Sequence, residues 1–121
     1  MSNTIFTTMY TLRNKVQLIG NLGNAPELKT TETGKKLVRF SLATNEVYRN
    51  IQGEKVTDTQ WHNLVAWGKT AEIIGKFLEK GSEVVIEGKL INRNYNDKEG
   101  NKKYVTEVEV VELLMMGGKG K

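Results

Sequence analysis

A single helical stretch set inside a run of strands constrains this sequence more than any other feature. Val16, Leu18, Gly20 and Leu22 alternate with Lys15, Gln17, Ile19 and Asn21, and Val38, Phe40 and Leu42 alternate with Arg39, Ser41 and Ala43. A spacing of two places one set on each face of a half-buried strand. Extended character resumes after Pro26 through Glu27–Thr31, and TETGKK (Thr31–Lys36) supplies a Gly-centred turn. YRNIQGEK (Tyr48–Lys55) is polar, contains a glycine and reads as a long exposed loop. A third strand is expected from about Thr59 to Trp67. The helix is expected from about Lys69 to Lys80: Ala71, Ile74, Phe77 and Leu78 recur at helical spacing, Glu72 and Lys76 form an i,i+4 pair, and Gly81 stands where a helix would end. A fourth strand from about Glu83 to Tyr95, a charged turn at Asn96–Asn101 and a fifth strand from about Lys102 to Met115 follow. The order β-β-β-α-β-β is that of the OB fold, an all-β, five-stranded Greek-key barrel with one helix between strands 3 and 4. Such barrels hold single strands or oligosaccharides, but a fold does not fix a function.

The 121 residues suit one domain able to bury a core without staples. There is no Cys, which removes disulfides and thiolate ligands, and one His leaves no zinc set. P-loop, dinucleotide and nucleophile-elbow signatures are missing too. No cofactor, metal or catalytic residue is therefore expected. Nor does any apolar run reach the length of a membrane span, and MSNTIFTTMYTLRN lacks the plan of a signal peptide. The expected location is the cytoplasm. A net charge of +4 has the sign a polyanion would favour, though many small basic domains bind none.

The third strand carries the strongest functional pattern. Trp61 and Trp67 project from one face together with Asn63 and Val65, while His62, Leu64 and Ala66 point to the other. Two indoles on one face are either exposed stacking platforms or core residues of a strand turned the other way, and pattern alone leaves both open. The fourth strand tilts the balance. Val84, Ile86, Gly88 and Leu90 make an apolar face, and Lys89, Ile91, Arg93 and Tyr95 make the opposite one. Rings interleaved with cations are what a single-strand binder needs, because rings stack on any base and cations neutralise phosphates. Tyr48 and Arg49 suit a lid over a bound strand, but loops also carry such pairs by chance. Arg13, Lys15, Lys29, Arg39, Lys69 and Lys80 are further candidates for the backbone, each equally readable as a solubilising charge.

These residues sit in stretches that closely resemble the bacterial single-stranded DNA-binding protein family: NKVQLIGNLGNAPELK (Asn14–Lys29), FSLATNE (Phe40–Glu46), TQWHNLVAWGKTAE (Thr59–Glu72), FLEKGSEVVIEGKL (Phe77–Leu90) and YNDKEGNKKYVTEV (Tyr95–Val108). The resemblance implies an OB barrel, a homotetramer, and single-stranded DNA as partner in replication, recombination and repair. It maps stacking positions onto Tyr48, Trp61, Trp67 and Tyr95, and basic contacts onto Lys15, Lys29, Lys69, Lys80 and Arg93. It places His62 at a subunit contact. Asn63 and Ile91 stand where well-known members carry Arg, and Tyr48 and Tyr95 stand at Trp positions, which implies a weaker grip.

One domain over residues 13–115 is expected, between an N-terminal arm (residues 1–12) and a disordered basic tail (residues 116–121). Family members usually end in a long tail with an acidic, Asp-Phe-Pro-Phe terminus that recruits repair and replication enzymes. This sequence ends in GGKGK, which puts recruitment by that route in doubt, and Met9 offers a second start. Two other functions compete with DNA binding. A protein adaptor in replication restart would not need the four aromatic residues. A nuclease would need clustered carboxylates, whereas Glu107, Glu109 and Glu112 read as the outer face of a strand.

Overall fold

A computed structural model describes residues 12–116; the expected arm up to residue 11 and the GGKGK tail lie outside the described residues. Among the described residues, six strands and one helix follow in order from Val16 to Met115: β1 (Val16–Leu22), β2 (Glu27–Thr30), β3 (Lys36–Arg49), β4 (Lys55–Trp67), α1 (Gly68–Phe77), β5 (Glu83–Asn96) and β6 (Lys102–Met115). The sheet runs β1-β5-β6-β4-β3-β2, and a further pairing of β1 with β3 closes it. The closed ring therefore has five members, β1, β5, β6, β4 and β3, with β2 on the outer side of β3. All pairings are antiparallel except β4 with β6, which run parallel through Leu64↔Val108 and Val65↔Glu109. The expected OB barrel is present. Its first extended run is broken at Gly23–Pro26 into β1, which closes the barrel, and β2, which only flanks β3.

The three hairpin turns share one construction. In Thr31–Lys35, Asn50–Glu54 and Asp97–Asn101 the first residue's N–H donates to the fifth residue's carbonyl, and the fourth residue, a glycine, donates back to the first residue's carbonyl. The side-chain oxygen of Thr31, Asn50 or Asp97 then accepts the fifth residue's N–H at 2.8–3.1 Å. Gly34, Gly53 and Gly100 have φ of +91°, +82° and +85°, the left-handed residue that ends a type I turn in a hairpin. Tyr48–Lys55 is accordingly not a long loop. Tyr48 pairs with Val56 and Arg49 with Lys55, and the ladder continues unbroken to the turn at Asn50.

The core gathers Leu22, Val38, Phe40, Leu42, Leu64, Ala66, Val84, Ile86, Val108 and Val110 inside the ring, with Ala71, Ile74 and Leu78 of the α1 region packed against them. These last three positions form one helical stripe at i, i+3 and i+7. Phe77, expected in that stripe, is 58% exposed. It sits at the stripe's margin, with the Lys76 ammonium 5.6 Å from its ring. The helix also ends earlier than expected. Leu78 is already extended, drawn inward to the core, and Gly81 (φ +92°) belongs to a separate turn in which Ser82 N–H donates to Glu79. Leu90, expected on the apolar face of β5, is exposed as well. There β5 has run beyond the core, and Asn14 clamps it with two hydrogen bonds to the Leu90 backbone.

Candidate nucleic-acid interface

Cross-strand partners share a face, so the ladder registers define one outward surface over four strands. It carries Leu37, Arg39, Ser41 and Ala43 from β3, paired with Trp67, Val65, Asn63 and Trp61 from β4. From the other hairpin it carries Lys89, Ile91, Arg93 and Tyr95 of β5, paired with Glu109, Glu107, Val105 and Lys103 of β6. Leu64, Ala66, Val84 and Ile86 lie on the inward face and are buried. The two indoles are thus outside the core: Trp61 is 62% exposed and Trp67 38%, with Tyr95 at 49%. Val65 shares their face but is buried, so the surface dips between rings that stand proud.

Each ring has local support. A Cβ built on Gly23 would lie 2.4 Å from the Trp61 ring and 2.7 Å from Ser41 Oγ. The indole therefore rests on the bare backbone of the β1–β2 connection. That connection is tied down by the Gly23 N–H to the Ser41 carbonyl (2.9 Å) and by Asn24 Oδ1, which accepts from both the N–H and the hydroxyl of Ser41 at 2.9 Å. Trp67 has the Lys35 ammonium 5.7 Å from its ring, and the Arg93 guanidinium stands 6.0 Å from the Tyr95 ring. Lys29 pairs with Leu37, which pairs with Trp67, so cation and indole lie in one row two strand spacings apart, about 10 Å.

The centre of the face is ionic. Arg93 donates from Nε to Glu107 Oε1 (3.1 Å) and from Nη2 to Oε2 (3.2 Å), and Arg39 donates from Nε to Oε2 (3.3 Å). Glu107 does lie on the outer face of its strand, as its position in β6 implies, but it is not solvated. Its side chain is 4% exposed beneath two arginine side chains that are 47% and 42% exposed. The hydrogen bonds from Arg93 hold the Glu107 carboxyl below its ordinary pKa of 4.5; burial opposes them, and the charges of Arg93 and Arg39 reinforce them. A carboxyl depressed on folding contributes stability that is full above the ordinary value and is lost as pH falls through the folded one. Stability measured by urea unfolding is therefore expected to hold from pH 7 to 5 and to decline below about 4.5. A stability unchanged down to pH 3 would show that the pair adds nothing to folding.

The model of the "Single-strand binding protein family" matches residues 13–116. The chain belongs to this family. Among curated family members, it is 47% identical over 107 residues to "Single-stranded DNA-binding protein 1" of Chlorobaculum tepidum, spanning 66% of that protein. It is 46% identical to "Single-stranded DNA-binding protein 1" of Xylella fastidiosa, spanning 79% of it. The chain thus spans just under two thirds of the first relative's length. Among solved structures, "Plasmodium falciparum SSB complex with ssDNA" matches with a TM-score of 0.79 at 32% identity, over 88% of this chain and 97% of that one. A deletion mutant of the single-stranded DNA binding protein from Thermus aquaticus matches at 0.75 and 30% identity, over 89% of this chain and 52% of that one.

Of the aromatic and basic residues expected at the site from the sequence, the structure brings some together and separates others. Trp61, Trp67, Tyr95, Lys29, Lys89 and Arg93 share the outward face. Tyr48 pairs with Val56 and falls on the opposite face of the β3–β4 ladder from Trp61; its ring is exposed near the end of that hairpin. Arg49 bends back from the same hairpin, donating from Nη1 to the Gly53 carbonyl at 2.7 Å. Lys15 meets Glu87 at 3.5 Å. Lys69 is the second residue of α1, after Gly68, and Lys80 stands in the turn before β5. His62 is half-buried on the inward side, its Nε2 3.0 Å from Thr44 Oγ1. Three contributors escape sequence reasoning: Gly23, Lys35 and the buried Glu107. The paired glycines of GNLG hint at the first, and the placement of Lys35 just before Leu37, the partner of Trp67, at the second. No local signal marks the third.

Proposed function

We propose that this chain binds single-stranded DNA without regard to sequence and shields it during replication, recombination and repair, catalysing no reaction. The observation that carries this reading is the single outward face on which Trp61, Trp67 and Tyr95 stand exposed among Lys29, Lys35, Lys89, Arg39 and Arg93. Rings of this kind stack on any base, and the cations follow the phosphates. Duplex DNA is a poor ligand for such a face because its bases are already stacked. The Plasmodium falciparum structure, a complex with ssDNA, supports the same ligand for this barrel.

The chain acts as a homotetramer in this reading, with His62 at a subunit contact, so that several faces engage one strand. The nucleoid of the cytoplasm is the site where it works; no helix among the described residues is long and apolar enough to cross a membrane. The test is intrinsic Trp fluorescence during titration with oligo(dT) at several salt concentrations. Saturable quenching is expected, with log K falling against log salt by about 0.7 for each phosphate neutralised. A flat signal together with no gel shift would remove the reading.

A further inference from the structure

The cluster at the centre of the face has a role that goes beyond charge balance, an inference that rests on the DNA-binding reading above. We propose that Glu107 is a positioning residue for that face, a buried carboxylate that holds the guanidiniums of Arg39 and Arg93 at a fixed separation with their remaining donors free for nucleic-acid phosphates.

Arg39 belongs to β3, Glu107 to β6 and Arg93 to β5, so one carboxylate gathers cations from strands on either side of the barrel face. Two guanidiniums would repel each other at this distance without an anion between them. Arg93 is gripped as a fork, through Nε and Nη2 onto both carboxylate oxygens, which fixes its plane. Arg39 is held through Nε alone. A guanidinium has five N–H donors, so each keeps further ones, on side chains nearly half exposed above a carboxylate that is not. Phosphate meets the arginines and not the glutamate. Arginines ordered in advance lose less side-chain freedom when DNA arrives.

The sign of the predicted effect separates positioning from simple electrostatics. Removing a negative charge from a DNA-binding face should tighten binding if charge alone mattered. Positioning predicts the reverse. Glu107→Gln is expected to bind oligo(dT) about ten-fold more weakly at low salt, the size of one charge-assisted hydrogen bond. Its salt dependence should become shallower by up to about 1.4, since each of two phosphates contributes about 0.7. The same substitution placed on Arg39→Ala/Arg93→Ala should change nothing further, because its effect passes through those two side chains. If Glu107→Gln fails to fold by circular dichroism, Glu107→Asp replaces it: the charge stays, the fork onto Arg93 breaks, and weaker binding with a shallower slope is again expected. A folded variant that binds as tightly as the parent or tighter, with the slope unchanged, overturns the inference while leaving DNA binding intact. A parent protein that does not bind oligo(dT) overturns the functional reading, and this inference with it.

Discussion

Trp61→Ala and Trp67→Ala should each weaken oligo(dT) binding by about 1–3 kcal/mol, the contribution of one stacked base, while the folded state stays intact. Neither indole belongs to the core. Trp61 lies over Gly23 and Trp67 beneath Lys35, so truncation uncovers surface instead of opening a cavity. In the double variant the two losses should add if the rings hold separate bases, since additivity is the rule for sites without shared partners. Fluorescence cannot report on a protein without Trp, so a filter or anisotropy assay with labelled oligo(dT) makes the measurement, with circular dichroism to confirm folding. Unchanged affinity in both single variants would mean that the indoles serve another surface contact.

A second substitution acts on folding and leaves the face alone. Leu42 is fully buried, opposite His62 on β4 and opposite Leu22 where β1 closes onto β3. Leu42→Ala removes packing at the point where the ring is sealed by only two residue pairs. Deleting so much buried side chain costs about 2–5 kcal/mol, depending on how far the site collapses. Against a total stability of about 5–15 kcal/mol for an ordinary domain, that loss should be plain in urea denaturation. A cost under about 1 kcal/mol would mean that β1 and β3 shift together to fill the gap.

How far the molecule can be read from its sequence depends on whether the deciding contacts are local. The fifth expected strand coincides with β6, Lys102–Met115, because the turn at Asp97–Asn101 that sets its start is written in the adjoining sequence. The outward placement of Trp61 and Trp67 follows from alternation with Leu64 and Ala66, which the core claims. Tyr48–Lys55 misleads because its residues are polar on both faces, so no alternation betrays the ladder. Phe77 misleads because a helical stripe defined by Ala71, Ile74 and Leu78 leaves its margin ambiguous by a single residue. Glu107 is the hardest. Its face can be read from β6 alone, but it lies beneath Arg93 from the neighbouring strand and Arg39 from 68 residues away in the chain, and no local pattern announces that cover.

The triad of Arg39, Arg93 and Glu107 also bears on when the protein becomes competent during folding. Each hairpin, β3–β4 and β5–β6, pairs residues close in sequence and can form early, bringing Trp61 to one ribbon and Tyr95 to the other. The encounters of β1 with β5, where Val16 meets Gly88, and of β4 with β6 join residues far apart in sequence and are expected to come later. Arg93 and Glu107 already share a ribbon, but Arg39 reaches them only after those encounters. A half-folded chain thus carries the rings without the finished cation pair, and its full grip arrives with the last strand contact made.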